Sequence, residues 1–133
     1  MLTEQERDYQ EWFKKAEEDL ISNRAVLKEG SPSTACFLSQ QIVEKYLKGL
    51  LIFHNIEFPK VHDLLELEGL LLMVEPEIEN YKKDLDLLST YYFETRYPGE
   101  YPEFTPQEAQ AAFEAASKIK EFVLKKVNNE KRK

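Results

Sequence analysis

The chain has 133 residues and a mass of 15.7 kDa, the size of one domain that can bury a core without disulfides or a metal. It is 42% hydrophobic and 32% charged with only 4 Gly and 6 Pro, which excludes collagen-like, linker-like and loop-rich β architectures and opposes wholesale disorder. Twenty-five acidic against 18 basic residues leave a formal charge of -7, which opposes a wide, passive electrostatic grip on nucleic acid, and the single Cys36 excludes a disulfide framework and a Cys-based zinc site.

The prolines and glycines divide the chain into five helical stretches. The first is predicted over Glu4 to Glu29, opened by a capping-box pair, Thr3 with Glu6, and stopped by Gly30. Trp12, Ala16, Leu20 and Leu27 share one of its faces, with Phe13 beside them. The second follows Ser31-Pro32 and runs to about Asn55. Its stripe of Ala35, Leu38, Ile42, Tyr46, Leu50 and Phe53, widened by Val43, Leu47 and Leu51, predicts a central helix with several neighbours. Cys36 falls inside this apolar pattern and reads as a small core residue. The third stretch is short and leucine-rich, from about His62 to Val74. Pro76 opens the fourth, where Ile78, Tyr81, Leu85, Leu88 and Tyr92 form a heptad-like seam. The fifth begins at Thr105-Pro106-Gln107-Glu108, a cap, a first-turn proline and a capping-box acid, and then aligns Ala109, Ala112, Ala116, Ile119, Val123 and Val127. No useful period-2 alternation occurs. These patterns predict an all-α, up-and-down bundle of four to five helices over residues 1–127 with a basic tail at 128–133.

The charge is uneven. Residues 125–133 (KKVNNEKRK) hold five positive charges and one negative, leaving -11 on the rest. That run reads either as a solvated helix end favoured by the helix dipole or as a nucleic-acid arm. No apolar run approaches the roughly 20 residues of a membrane span. The polar start MLTEQERDYQ resembles neither a secretory signal nor a transit peptide, so a cytoplasmic protein is expected.

Two connections carry unusual aromatic mass: Asn55 to Val61 (NIEFPKV) and Arg96 to Phe104 (RYPGEYPEF). On the second helix, SQQIVEKYLKG sets Gln40, Glu44 and Lys48 at steps of four, with Gln41 and Lys45 alongside. Such a ribbon could hold a phosphate or a base edge, the amides bonding and the lysines neutralising charge. Spacing alone favours the simpler reading, a solvated face with an ordinary Glu44–Lys48 pair. His62-Asp63 lies at a helix start. It reads as a cap, or as a base oriented by an acid, although no Ser or Cys nucleophile lies nearby in sequence. His54 is the only other histidine and no H-x-x-x-H pair exists, so no metal site is expected. No Gly-rich phosphate loop is present, and no cofactor is implied.

Four blocks occur in order: A-x-x-D-L (Ala16, Asp19, Leu20), A-C-F-x-x-Q-Q-x-x-E-K-x-L-K (Ala35 to Lys48), H-D-L (His62 to Leu64) and R-Y-P (Arg96 to Pro98). With the tyrosine-rich run before the last block and the helix after it, the chain closely resembles a HEPN domain protein over about residues 8 to 125. The resemblance implies a helical bundle, a homodimer, a minimal nucleotidyltransferase encoded nearby as partner, nucleotide or RNA as ligand, and in many members RNase activity within toxin–antitoxin pairs. That activity uses an Arg followed four to six residues later by His. Here Arg96 stands at the arginine position, but no histidine follows, and Tyr101 occupies the four-residue-gap position. A phenol with an ordinary pKa of about 10 is poorly matched to neutral proton transfer, for which imidazole at about 6.5 is suited.

Three function classes therefore stand at this point. One is a non-catalytic subunit binding nucleotide or RNA through Gln41, Glu44, Lys45, Lys48 and Arg96, with His62 and Asp63 in support. Another is a metal-independent RNase using Arg96 with Tyr97 or Tyr101. The third is a structural dimer module. Tyr91, Tyr92, Phe93, Tyr97 and Tyr101 exceed what one small bundle readily buries, which also favours a dimer.

Overall fold

The second helix organises the chain. Its apolar residues cover most of its circumference, so it can be satisfied only by being surrounded. The computed structural model describes residues 4–92 and 103–131, with side chains from residue 8 onward. Among these, five α-helices appear in order: α1 (Glu4–Glu29), α2 (Pro32–Phe53), α3 (Leu64–Leu71), α4 (Lys82–Ser89) and α5 (Pro106–Lys131). There is no strand among the described residues. Helix α2 packs on α1 and α5 most extensively, and also on α3 and α4. Ile42, Val43, Leu47, Leu50 and Leu51 are fully buried, as are Ala112, Ala116, Ile119 and Val123 of α5.

The ends of the elements follow the local chemistry. Gly30 N–H returns to Val26 O at 2.7 Å and stops α1. At α5, Glu108 N–H donates to Thr105 Oγ1 at 3.1 Å, while Thr105 N–H donates to Glu108 Oε1 at 3.2 Å, a reciprocal capping box. Just before it, Phe104 N–H donates to Ser33 Oγ and so ties the entry of α5 to the first turn of α2. Asn55, at φ 60°, turns the chain out of α2 in the left-handed region that asparagine tolerates.

The third and fourth stretches differ from the sequence expectation. Helix α3 starts at Leu64 rather than His62, because Asp63 is extended and its carboxylate accepts the Leu65 N–H at 2.9 Å. The fourth stretch is two elements: a 3-10 helix over Pro76–Tyr81, then α4. Glu75 supplies no side-chain cap, and Ile78 N–H closes onto Glu75 O. Tyr92 lies beyond the end of α4. Helix α5 continues through the basic run as far as Lys131, the last described residue. The Thr3–Glu6 cap, Phe93 and nearly all of the RYPGEYPEF segment lie outside the described residues.

Helices α1 and α2 are in tight contact at Gly49. A β-carbon there would stand 2.5 Å from Phe13 Cε1 and 2.8 Å from Cδ1. The Phe13 ring is itself packed between Tyr9 and Tyr46, with centroids 5.6 and 5.5 Å away, and has little room to yield. Gly49→Val should therefore destabilise the protein by about 1–3 kcal/mol, the usual cost of overpacking, despite the better helix propensity of valine. A denaturant melt with an unchanged midpoint would show that α1 can shift freely at this crossing.

Candidate functional site

The polar ribbon of α2 does not face solvent. Gln40 is fully buried, and Glu44 and Lys48 are 4% and 6% exposed, which overturns the solvated-face reading for these three. They are enclosed by α1 and by the Asn55–Asp63 connection. An ionised carboxylate so placed must find several donors, since an unpaired buried charge is strongly destabilising. Lys48 Nζ donates to Glu44 Oε2 at 3.0 Å, and Gln40 Nε2 donates to Oε1 at 3.3 Å. Gln40 Nε2 also reaches His62 O at 3.0 Å, while its Oε1 accepts from Gln41 Nε2 at 2.6 Å. The Lys48 ammonium lies 5.4 Å from the Trp12 ring centroid and 5.8 Å from that of Phe58, two faces suited to a cation. The aromatic NIEFPKV connection thus docks on the body of the domain.

The remaining donor comes from across the site. His62 Nδ1 lies 3.1 Å from both oxygens of Glu44. An ionised carboxylate only accepts, so the ring hydrogen sits on Nδ1 and Nε2 is turned away from Glu44. The acid that orients His62 is therefore Glu44, 18 residues away, and not its neighbour Asp63, which caps α3. The Tyr92 ring stacks on the imidazole at a centroid distance of 4.7 Å and an interplanar angle of 12°. This stacked, edge-pinned imidazole forms part of the wall of a cavity of about 530 Å³, together with Lys60, Val61, Asp63, Ser89 and Tyr92. The His62 side chain remains 51% exposed and Nε2 has no hydrogen-bond partner among the described residues.

Other sequence-predicted residues are placed differently. Lys45 is ion-paired with Asp19 of α1, so its charge is matched within the bundle. Gln41 is half-buried and committed to Gln40. Arg96, Tyr97 and Tyr101 lie outside the described residues. Tyr91 is buried against Phe104 and Cys36 in its own bundle, so it does not contribute to a surplus of exposed aromatic rings. Burial, with the charge of Glu108, pushes the Cys36 thiol up to about 11, which keeps it protonated and unreactive. A second polar knot joins α1, α2 and α5: Lys120 Nζ and Tyr46 Oη both donate to Glu17 Oε2, at 2.7 and 3.1 Å. Those bonds, that of Lys120 foremost, hold the Glu17 carboxyl below its usual range. Lys60, Ser89 and Tyr92 carried no signal in the sequence as site residues. No group of three or more potential metal ligands exists among the described residues, and no helix there is long and apolar enough to cross a membrane.

The sequence profile of the HEPN domain matches residues 9–127. Among solved structures, that of ST0689, an archaeal HEPN homologue, is similar at 32% identity and a TM-score of 0.72, covering 90% of this chain and 97% of its own. That of TT1696 from Thermus thermophilus is similar at 30% identity and a TM-score of 0.74, covering 89% of this chain and 97% of its own. No curated protein matches the chain significantly.

The buried pair yields a stability prediction. Lys48→Met leaves Glu44 without its lysine and should cost about 3 kcal/mol, whereas Glu44→Leu combined with Lys48→Met should cost clearly less than the two single losses added together. Additive losses in a double-mutant cycle by chemical denaturation would mean that the two groups do not depend on one another.

Proposed function

The chain belongs to the HEPN domain family, and from that premise and the chemistry of the cavity we propose that it is a non-catalytic module that binds a nucleotide, free or at an exposed position of an RNA strand. The observation that carries this reading is the His62–Tyr92 stack on the wall of the cavity, pinned from below by Glu44. Its volume lies within the range of small-ligand sites. Aromatic faces accept any base by stacking, Ser89 offers a hydroxyl oxygen, and Lys60 offers a cation for phosphate. The ligand-binding role first read for Gln41, Glu44, Lys45 and Lys48 becomes a supporting one. Lys45 and Lys48 have carboxylate partners, and Glu44 fixes the ring that faces the ligand. Arg96 is a further phosphate contact in this proposal, on the strength of its block in the sequence. The absence of any histidine after it supports binding rather than cleavage.

Membership of the family supports a nucleotidyltransferase as the partner protein, with a toxin–antitoxin pair as one form of that partnership, and it supports a homodimer. For the dimer, Leu65 of α3 and Leu87 of α4 add exposed apolar area on two helices that touch, with Met73 86% exposed just past α3. Light scattering at micromolar concentration should give twice the chain mass, and a monomer would refute the dimer.

Binding is tested by calorimetric titration of adenosine monophosphate and of a short single-stranded RNA into the full chain. Tyr92→Ala removes the ring that holds the His62 plane in the wall, so it should weaken whichever probe binds by roughly tenfold, and Lys60→Ala by less. Failure of both probes to bind, or equal affinity in Tyr92→Ala, would overturn the assignment of this cavity.

A further inference from the structure

Resting on the binding reading above, we infer that His62 is the group that recognises phosphate in this cavity, that it does so only as the imidazolium ion, and that Glu44 is the positioning residue that fixes the ring for this task. The hydrogen bond to Glu44 occupies Nδ1 with the ring hydrogen. In the neutral ring Nε2 then presents a lone pair, which repels an ionised phosphate oxygen. Protonation converts the same atom into a charged N–H donor without any movement of the ring. Stacking on Tyr92 holds the ring plane, and Gln40 holds the His62 carbonyl, so the donor direction is set before a ligand arrives.

The local charge favours the same outcome. Among the described residues, the charged groups facing the ring are Glu44 from α2, with Lys48 behind it, and Lys60 and Asp63 from the connection into α3. Gln40, Ser89 and Tyr92 are neutral. Two cations and two carboxylates cancel while His62 is neutral, and its protonation leaves the site with one net positive charge. Asp63 is turned to the Leu65 N–H, and Glu44 is shared with Lys48, so neither is free to take up the new N–H on Nε2. Lys60 is an exposed point charge on a flexible stem and attracts an anion without orienting it. Among the described residues the directional contact falls to His62, and charge-assisted bonds of this kind are short and strong.

The test is calorimetric titration into the full chain at several values from roughly pH 8 to pH 5.5. The probes are a guanosine–uridine dinucleotide, whose internal phosphodiester keeps one negative charge throughout, and guanosine, which lacks phosphate. Affinity for the dinucleotide should rise about tenfold as pH falls, as expected for one charge-assisted hydrogen bond, while that for guanosine stays level. In His62→Gln, an exposed position that should fold normally, the dinucleotide profile should become flat. Glu44→Gln retains an oxygen for Nδ1–H but removes the carboxylate charge that pairs with the imidazolium, so in this variant the rise over the same pH range should be smaller. If Glu44→Gln proves unfolded by its melting curve, His62→Gln decides alone. A flat wild-type profile, or one that persists in His62→Gln, overturns the inference while Tyr92-dependent binding leaves the nucleotide reading standing. If neither probe binds at any pH, both are overturned.

Discussion

A carboxylate buried in the middle of the central helix is the constraint around which this molecule is arranged. Glu44 sits one residue from Val43, a core position, and is 4% exposed. Isolated there, its charge would cost far more than a small domain can tolerate. Its partners come from separate parts of the chain: Gln40 and Lys48 one turn before and after it on α2, and His62 from the connection into α3. Each partner imposes its own demand. The Lys48 ammonium draws Trp12 of α1 and Phe58 over it, and the His62 ring is covered by Tyr92 after α4. One buried charge thus determines how α1, the connection at 55–63 and the end of α4 close over α2.

Hydrophobic residues of similar volume could fill the same space at equal or better stability, as replacement of buried ion pairs often shows. What they would not supply is direction. A carboxylate held by several donors offers a fixed pair of acceptor oxygens, and a ring bonded to both can occupy one orientation only. The stability forgone in burying Glu44 and Lys48 returns as a preset imidazole on a cavity wall, whose other nitrogen has no partner among the described residues. Preorganisation of this kind reduces the ordering cost that a flexible side chain incurs on binding.

Helix faces were legible in the sequence wherever a long periodic run met a strong boundary. Thr105, Pro106 and Glu108 specify the start of α5 by local chemistry alone, and the alanine-rich stripe behind them is buried as its spacing requires. Short elements were less legible. The six residues from Pro76 to Tyr81 are too few for periodicity to separate a 3-10 helix from an α-helix, and the missing cap at Glu75 could not be read. For the candidate site, the steps of four from Gln40 to Lys48 identified the right residues but not their surroundings, because burial is set by what folds over a helix face. Nothing in the spacing brings His62 to Glu44 rather than to Asp63, since the connection after α2 is irregular. The order of the sequence blocks held that information only jointly: Asp19 meets Lys45, and His62 meets Glu44, each contact joining two different blocks.

The overall acidity of the chain bears on what such a cavity can hold. A net charge of -7 repels a long polyanion at a distance, and its screening length in physiological salt is only about 8 Å. Recognition of phosphate in such a protein must therefore be local and short-ranged, built from donors already in place. The buried network meets that condition. Lys48 neutralises Glu44 within α2, and Asp63 is committed to the first turn of α3. Among the described residues, these internal pairings leave Lys60 and the Nε2 edge of His62 on the cavity wall. A ligand that pairs one flat base with one phosphate can use both the stacked rings and that short positive edge, whereas a long duplex would gain little from the first and be repelled by the rest of the surface.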